Sequence, residues 1–460
     1  MIFKTNITLL SVILGSILNV FGQAQNDSTQ VKEIGRTLTS KVHCVIPPLA
    51  TEPIYTQYQF DDFLTGNKGK AIISNVNLQS GSNYLPVNLL SQIYKGGGVD
   101  ESLRLSALNT ANFSNLRLGA IAEGQMKVVL NFKNRKRRFY KGFSLVNGSG
   151  VITVGSNSIL NGKLQPDIAA LYLLGNGVFA DKTAFLGPSL FQYYQYNSVG
   201  FNHWFHVYKY GTDPELISIK DIIGFNVGLQ LNQLNNFQSV QIMEGSMYTA
   251  LFGQFLDLDY TIKLQKLKDE HPLGLGLNLG LSRSIKGLNT SLSLNNFGFW
   301  KLHQMQVLSA DTSFRYQGIV LQTWGQSPSL PSDSLKDILG LHASSEKARL
   351  LLPGNLKLQL RYTNLWRLDI TYWYTLKALP LFELQYTKWS NKYVKLGQQR
   401  LRHSFYPYLA YGGFGTYHLG FSTGIQYKKI AIMLNVNDLQ SFVLKNQTSL
   451  IAGLRIGYAF

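Results

Sequence analysis

The chain of 460 residues holds a single cysteine, Cys44, which excludes an intrachain disulfide framework and any zinc cluster built on cysteine. Charge is scarce as well: Asp, Glu, Lys and Arg together make up 15% of the residues, against roughly 25% in ordinary soluble domains. Acidic residues are the scarcer sign, 25 against 43 basic, leaving a formal net charge of +18. Beyond the N-terminus there is no continuous apolar stretch of about 18 residues, so a bundle of membrane-spanning helices is excluded. HExxH, P-loop and paired CxxC motifs are missing too, and with them the metal and phosphate chemistries they carry. Among what is present, 45% hydrophobic residues, 12% aromatic residues and 42 glycines exclude a disordered chain. The length is excessive for one soluble domain and suits a large barrel.

The N-terminus reads as a secretory leader. Lys4 supplies a positive start, Ile7–Phe21 a short apolar middle, and Gly22, Gln23 and Ala24 the small exit residues. The apolar run is shorter than the roughly 20 residues of a bilayer span. Cleavage is expected after Gly22 or Ala24. The expected organisation is a signal peptide over 1–22, a flexible mature terminus over 23–66 and one barrel domain over 67–460.

From the middle of the chain onward, residues alternate with period two, the mark of strands with two different faces. Leu273, Leu275, Leu277, Leu279 and Leu281 alternate with Gly274, Gly276, Asn278, Gly280 and Ser282. Leu356, Leu358, Leu360 and Tyr362 alternate with Lys357, Gln359 and Arg361. Similar runs occupy Trp366–Tyr374, Leu419–Tyr427, Ile430–Val436 and Leu450–Phe460. A soluble sandwich and a membrane barrel both produce this pattern. Three features favour the barrel. The runs approach the roughly 9–11 residues of a tilted spanning strand. Aromatics at Tyr372–Tyr374, Trp389 and Tyr406–Tyr411 suit interfacial girdles. The last strand alternates into a terminal aromatic. The fold class expected is all-β, a transmembrane antiparallel β-barrel of about 14 strands, an even number.

Helices are expected in the first part of the chain, at Pro86–Lys95 and Asp100–Asn109 within the stretch 86–112, and at Pro166–Leu174 before Gly175. They cannot form the barrel wall, so they are expected in the periplasm or inside the lumen. Leu89, Leu90, Ile93, Tyr94, Leu103, Leu105 and Leu108 are the candidate plug residues, with Gly274, Gly276 and Gly280 as the small wall residues receiving them.

Four segments together resemble a family of Bacteroidota outer-membrane barrels without an assigned reaction, loosely similar in layout to FadL-type transporters. They are Gln92–Leu103, Leu174–Ala180 followed by Phe185–Pro188, Leu275–Trp300, and the stretch from Ser332 through Leu352–Leu358 to the final strands. The resemblance spans roughly residues 80 to 460. It departs from the family pattern at Asp181, where glycine is expected, and at Asn295-Asn296, where an acidic residue is commoner. It implies a barrel, a leader and an outer-membrane address, and it names no catalytic residue.

The remaining constellations are weak carriers of chemistry. His203 and His206 stand three apart and would face opposite ways on a strand, which disfavours a metal site. His342-Ala343-Ser344 has the base and hydroxyl of a lipid hydrolase, but it sits in a polar segment, Asp333–Glu346, expected to be loop or helix. Lys133, Arg135, Lys136, Arg137 and Arg138 form a basic turn suited to anionic headgroups rather than to nucleic acid. Gly453, Leu454, Ile456, Tyr458 and Phe460 form the expected assembly signal, read by the barrel-assembly machinery. The expected role is passage or binding of a small, apolar ligand through a partly plugged lumen, in the outer membrane. Its partners would be membrane lipids, the assembly machinery and other envelope proteins, with no cofactor and no catalytic residue. The alternatives are an accessory subunit of an envelope or secretion assembly and, disfavoured, a lipid-acting enzyme.

Overall fold

The computed structural model describes residues 70–83, 116–131, 138–140, 143–210, 219–268, 271–285, 288–316, 340–362, 366–386, 391–396, 399–415, 417–427, 430–437 and 449–459. The leader, the stretch 86–112 with all seven candidate plug residues, the basic residues Lys133, Arg135, Lys136 and Arg137, Trp389 and Phe460 lie outside them.

Nineteen antiparallel segments form one closed sheet. β1 (Lys70–Ser82) pairs with β2 (Leu116–Asn131) on one side and with β19 (Ser449–Ala459) on the other. Five staves of the barrel are each built from two segments. β2 resumes as β3 (Arg138–Tyr140) along β4 (Phe143–Leu164). β5 (Lys182–Phe185) leads into β6 (Ser189–Tyr210) along β7 (Ile219–Thr249). β8 (Leu256–Leu267) and β9 (Leu273–Ile285) share the space between β7 and β10 (Leu288–Tyr316). β11 (His342–Leu351) and β12 (Asn355–Tyr362) line the other side of β10. β14 (Leu379–Tyr386) and β15 (Asn391–Leu396) line β16 (Gln399–Gly413). With β13 (Trp366–Trp373), β17 (Tyr417–Tyr427) and β18 (Ile430–Asn437), fourteen staves close the barrel. Short turns and β19's C-terminal end share one rim. The connections 83–115, 317–341 and 438–448 share the other, called here the loop rim.

The outer surface is the apolar one. Val154, Val199, Leu231, Leu275, Phe299 and Leu351 are neighbours in register on six adjoining staves. All six point outward, 44–56% exposed. The lumen side of the same staves carries Asn157, Asn202, Asn226, Asn232, Asn278 and Ser293, all buried. Polar inside and apolar outside is the arrangement lipid imposes. The next residues outward toward the loop rim are Ser156, Asn197 and Gln233 on β4, β6 and β7, and Lys301 and Arg349 on β10 and β11. The lipid-facing belt ends there.

Polarity then inverts. β10 carries a bulge at Asn295-Asn296, opposite Asn278 of β9, which changes the parity of its side chains. Without it Trp300 would point into lipid. With it, Trp300 and Leu302 turn inward and are buried while Lys301 and His303 are exposed; a second register shift between Leu302 and Met305 then keeps Met305 and Val307 inward and Gln306 outward. Asn296 adopts φ 55°, a left-handed conformation that asparagine tolerates better than most residues. Its side chain is clamped: the backbone N–H donates to Asn278 Oδ1 at 2.6 Å, and Nδ2 donates to the Pro353 carbonyl at 3.0 Å. Pro353 belongs to the Leu352–Gly354 break between β11 and β12, so bulge and break lie against each other.

β5, β7, β8, β10 and β11 continue past the barrel as a standing wall. A helix, α1 (Pro166–Leu174), packs on it. Leu171 joins Ala184, Leu186, Met247, Leu258, Tyr260 and Ala310 in one buried cluster. In the unbroken register of β8 with β10, Leu258, Tyr260 and Ala310 have the opposite parity to Leu267, Met305 and Val307, which face the lumen. Thus α1 covers the wall face continuous with the barrel's exterior, beyond the lipid belt. Of the two places expected for this helix, the lumen is the one it does not occupy; it packs outside the barrel at the loop rim. The apolar stripe of the wall needed a cover in water, and α1 provides it.

Candidate functional site

The lumen holds two zones. Toward the turn rim its wall is charged and amide-rich. Asp369 of β13 accepts hydrogen bonds from Gln359 Nε2 at 2.7 Å and from Arg367 Nε at 3.0 Å, and pairs with Lys357 Nζ at 3.0 Å. Glu383 stands beside it in register on β14. These side chains come from the inward positions that the alternation with Leu356, Leu358 and Leu360 marks out. Both members of the Lys357–Asp369 pair are less than 5% exposed, so the ion pair is shut away from bulk water. Across β1 and β2, Asn77 Nδ2 donates to Glu123 Oε2 at 3.1 Å.

Toward the loop rim the inner wall becomes aromatic. Tyr194 and Tyr196 of β6, Phe237 of β7, Trp300 of β10, Trp373 of β13, Tyr408 of β16 and Phe414 belong to one buried cluster with Leu234, Leu302, Met305 and Leu381. Tyr196 meets Trp300 edge-on with ring centroids 5.5 Å apart, and Tyr194 lies 5.2 Å from Phe237. Trp300 Nε1 donates to the Asn232 carbonyl at 3.0 Å, so the indole is anchored at its polar end and apolar elsewhere.

Two segments of the loop rim fold over this zone. Tyr374–Ala378, between β13 and β14, turns inward: Leu376 joins the aromatic cluster, and the Lys377 N–H donates to Asn161 Oδ1 at 2.7 Å. Asn161 sits on β4, on the opposite side of the barrel. Tyr374 OH donates to the Asn296 carbonyl at 2.8 Å, tying the segment to the bulge. Gly412–Gly415 brings Phe414 against Gly119 of β2, where a Cβ would fall inside the ring. Nearby, Ser449 Oγ lies 2.9 Å from His418 Nδ1, and both are buried. This pair has the makings of a nucleophile and base but no access for substrate; it joins β17 to β19.

Several sequence expectations land elsewhere. Gly274, Gly276 and Gly280 do face the lumen, but what lies over the first two is Trp300 and Asn296, with Trp204 and Asn226 near the third. Wall side chains lie over these glycines, while the helices expected against them, within 86–112, fall outside the described residues. Trp373, expected in an interfacial girdle, is buried in the lumen, whereas its neighbour Tyr372 faces outward. Tyr406 and Tyr408 are likewise buried and Tyr411 exposed. A girdle is blind to strand parity, which assigns alternate aromatics to lipid and to lumen. His342–Ser344, expected in a loop or helix, opens β11 and is exposed on the wall, away from the lipid belt. His203 lies on β6 between Phe201 and Phe205, 4.4 Å from the latter's ring centroid. Among the described residues no cluster of three metal-binding side chains occurs. Leu454, Ile456 and Tyr458 form an outward apolar row on β19, while Gly453 is buried; Arg138 opens β3 at the turn rim. The aromatic set was missed because its members come from five separate staves and one rim segment. The only local signal was the Asn-Asn pair.

The chain is similar to solved outer-membrane barrels. The monoaromatic hydrocarbon channel TodX, as its deltaS2S3 mutant, is 9% identical with a TM-score of 0.39, over 87% of this chain and 93% of that one. The P. putida toluene transporter TodX is 9% identical with a TM-score of 0.34, over 85% and 87%. The translocator domain of the autotransporter NalP from Neisseria meningitidis is 7% identical with a TM-score of 0.26, over 88% and 94%. No family model matches the chain, and no curated protein matches it.

Proposed function

We propose that this is an outer-membrane barrel of the Bacteroidota type that binds and passes a small apolar ligand, held here in a closed state. The carrying observation is the convergence of Tyr194, Tyr196, Phe237, Trp300 and Trp373 on the lumen at the end of the lipid belt. An apolar solute gains most where aromatic walls are already assembled and dry. Short turns at one rim and long connections at the other support an orientation with the aromatic zone on the external side. Passage requires Tyr374–Ala378 and Gly412–Gly415 to withdraw, a gating step of the kind common to closed sites. Toluene binding to the barrel in nanodiscs, followed by quenching of tryptophan emission against empty nanodiscs, tests the reading. Tyr196→Ala should weaken binding by about tenfold or more, the worth of one lost aromatic contact. Free passage of sugars with no hydrocarbon binding would contradict it.

One observation favours a second reading, an accessory subunit of an envelope assembly. β11 stands exposed on both faces over His342–Lys347, with β10 as its only neighbour among the described strands. Cross-linking in whole cells from His342→Cys in a Cys44→Ser background distinguishes the two: a discrete protein adduct supports the subunit.

A further inference from the structure

Beyond the outward row Phe299–Leu351, the exterior of β8, β10 and β11 becomes basic. Lys301 and Arg349 are paired in register one step past that row, and both are exposed. Arg349 lies over the Phe299 ring, 5.5 Å from its centroid, so the guanidinium is held at the edge of the lipid belt. Lys266, Lys268 and Lys347 follow on the adjoining segments, all exposed, with His271 and His303 among them. The nearby acid Glu346 is engaged by Lys263 at 3.2 Å. Asp269 and Glu270, in the linker from β8 to β9, lie outside the described residues. The corresponding outward positions on β7, β6 and β4 are Gln233, Asn197 and Ser156, without charge. The basic flank is therefore one-sided, and it begins where the lipid-facing surface stops.

We propose that this flank binds the phosphate groups of the lipid headgroups around the loop rim, with Arg349 and Lys301 as the principal contacts. A planar guanidinium matches a phosphate bidentately, and its stem packs on the apolar row beneath. The leaflet's identity rests on the outer-membrane reading above, in which the external lipid is a phosphorylated glycolipid; the charge chemistry does not depend on it. This site is separate from the basic turn near Arg138, which opens β3 at the opposite rim.

The test uses the full barrel in detergent, with diphosphoryl lipid A, dephosphorylated lipid A and inorganic phosphate as probes. Native mass spectrometry reads the bound fraction at low and high ionic strength. The wild type should retain the diphosphoryl form, and added salt should weaken retention. Lys301→Gln combined with Arg349→Gln should lower affinity roughly 30-fold, at the usual worth of two juxtamembrane charges. Lys182→Gln, exposed on β5 away from the flank, should leave it unchanged. Heat-modifiable migration of each variant confirms that the barrel has assembled. Equal retention by the double variant would overturn the proposal, as would equal retention of the dephosphorylated lipid. Inorganic phosphate binding as tightly as the lipid would reduce the site to an ion site and overturn the headgroup assignment. Recovery of the protein from the inner membrane would overturn the outer-membrane address alone, leaving phosphate selectivity to be decided by the variants.

Discussion

β10 is one strand living in two solvents. Over Leu288–Phe299 it presents Leu292, Phe297 and Phe299 outward and Ser291, Ser293 and Asn295 to the lumen. Over the next turn-free stretch it presents Lys301, His303 and Gln306 outward and buries Trp300, Leu302, Met305 and Val307. Backbone geometry is the same in both halves; what differs is which side meets water. Lipid on the outside favours an apolar exterior, and water on the outside favours an apolar interior. The bulge at Asn295-Asn296 shifts the parity of β10 just before that boundary, and a second irregularity between Leu302 and Met305 shifts it again just beyond. β7 makes its own adjustment near Asn235, where Gln195 pairs with Asn236 and Tyr196 with Leu234.

The comparison breaks most severely if the polar lumen loses its counter-ion. Asp369→Ala removes the carboxylate paired with buried Lys357 and bonded to half-buried Arg367, with only the neighbouring Glu383 left beside them, and should cost about 3–5 kcal/mol. Urea unfolding from liposomes reads this loss. A smaller effect should separate the two exteriors. Leu229→Lys, in the belt, should cost about 2–4 kcal/mol, whereas Gln306→Lys, beyond it, should cost less than about 0.5 kcal/mol. The same assay compares them, and equal costs would mean that both sites face one solvent.

The smallest effect belongs to the far end of the wall. Arg315 donates to both Asp257 oxygens, at 2.6 and 2.9 Å, and holds that carboxyl below the ordinary carboxylate range. A lowered native pKa means that its stabilisation is present above the unfolded carboxylate value, about 3.9, and is lost only as pH falls through the native value. The pair is exposed to water, so Asp257→Asn should leave the unfolding midpoint unchanged between neutral and mildly acidic pH.

Much of the membrane section was legible because lipid writes a simple period. The alternations at Leu273–Leu281, Leu356–Tyr362 and Ile430–Val436 became β9, β12 and β18, with lumen and lipid faces as read. The helix at Pro166–Leu174 followed from proline at its start and glycine after its end. Beyond the belt the same strands continue under the opposite rule, and a period-two pattern that changes sign at a bulge looks like no pattern. The residues that mark the change were visible only as departures from the family likeness. Asp181 and Asn296 are the two described non-glycine residues with positive φ, 58° and 55°. At Asp181 the left-handed conformation is one that glycine adopts without cost, and the carboxylate accepts from Tyr248 OH at 2.8 Å. The lumen seal was unreadable because Tyr374–Ala378 reaches Asn161 across 216 residues.

The central claim is that the outer face passes from lipid to water between Phe299 and Lys301. Spin labels at Phe297→Cys, Phe299→Cys, Lys301→Cys and His303→Cys, each in a Cys44→Ser background and reconstituted in bilayers, measure it directly. All four positions point outward, so only the surrounding solvent differs. Collisions with oxygen should dominate at the first two positions and collisions with a water-soluble nickel chelate at the last two. Equal chelate access at all four, or oxygen dominating through His303, would contradict the account.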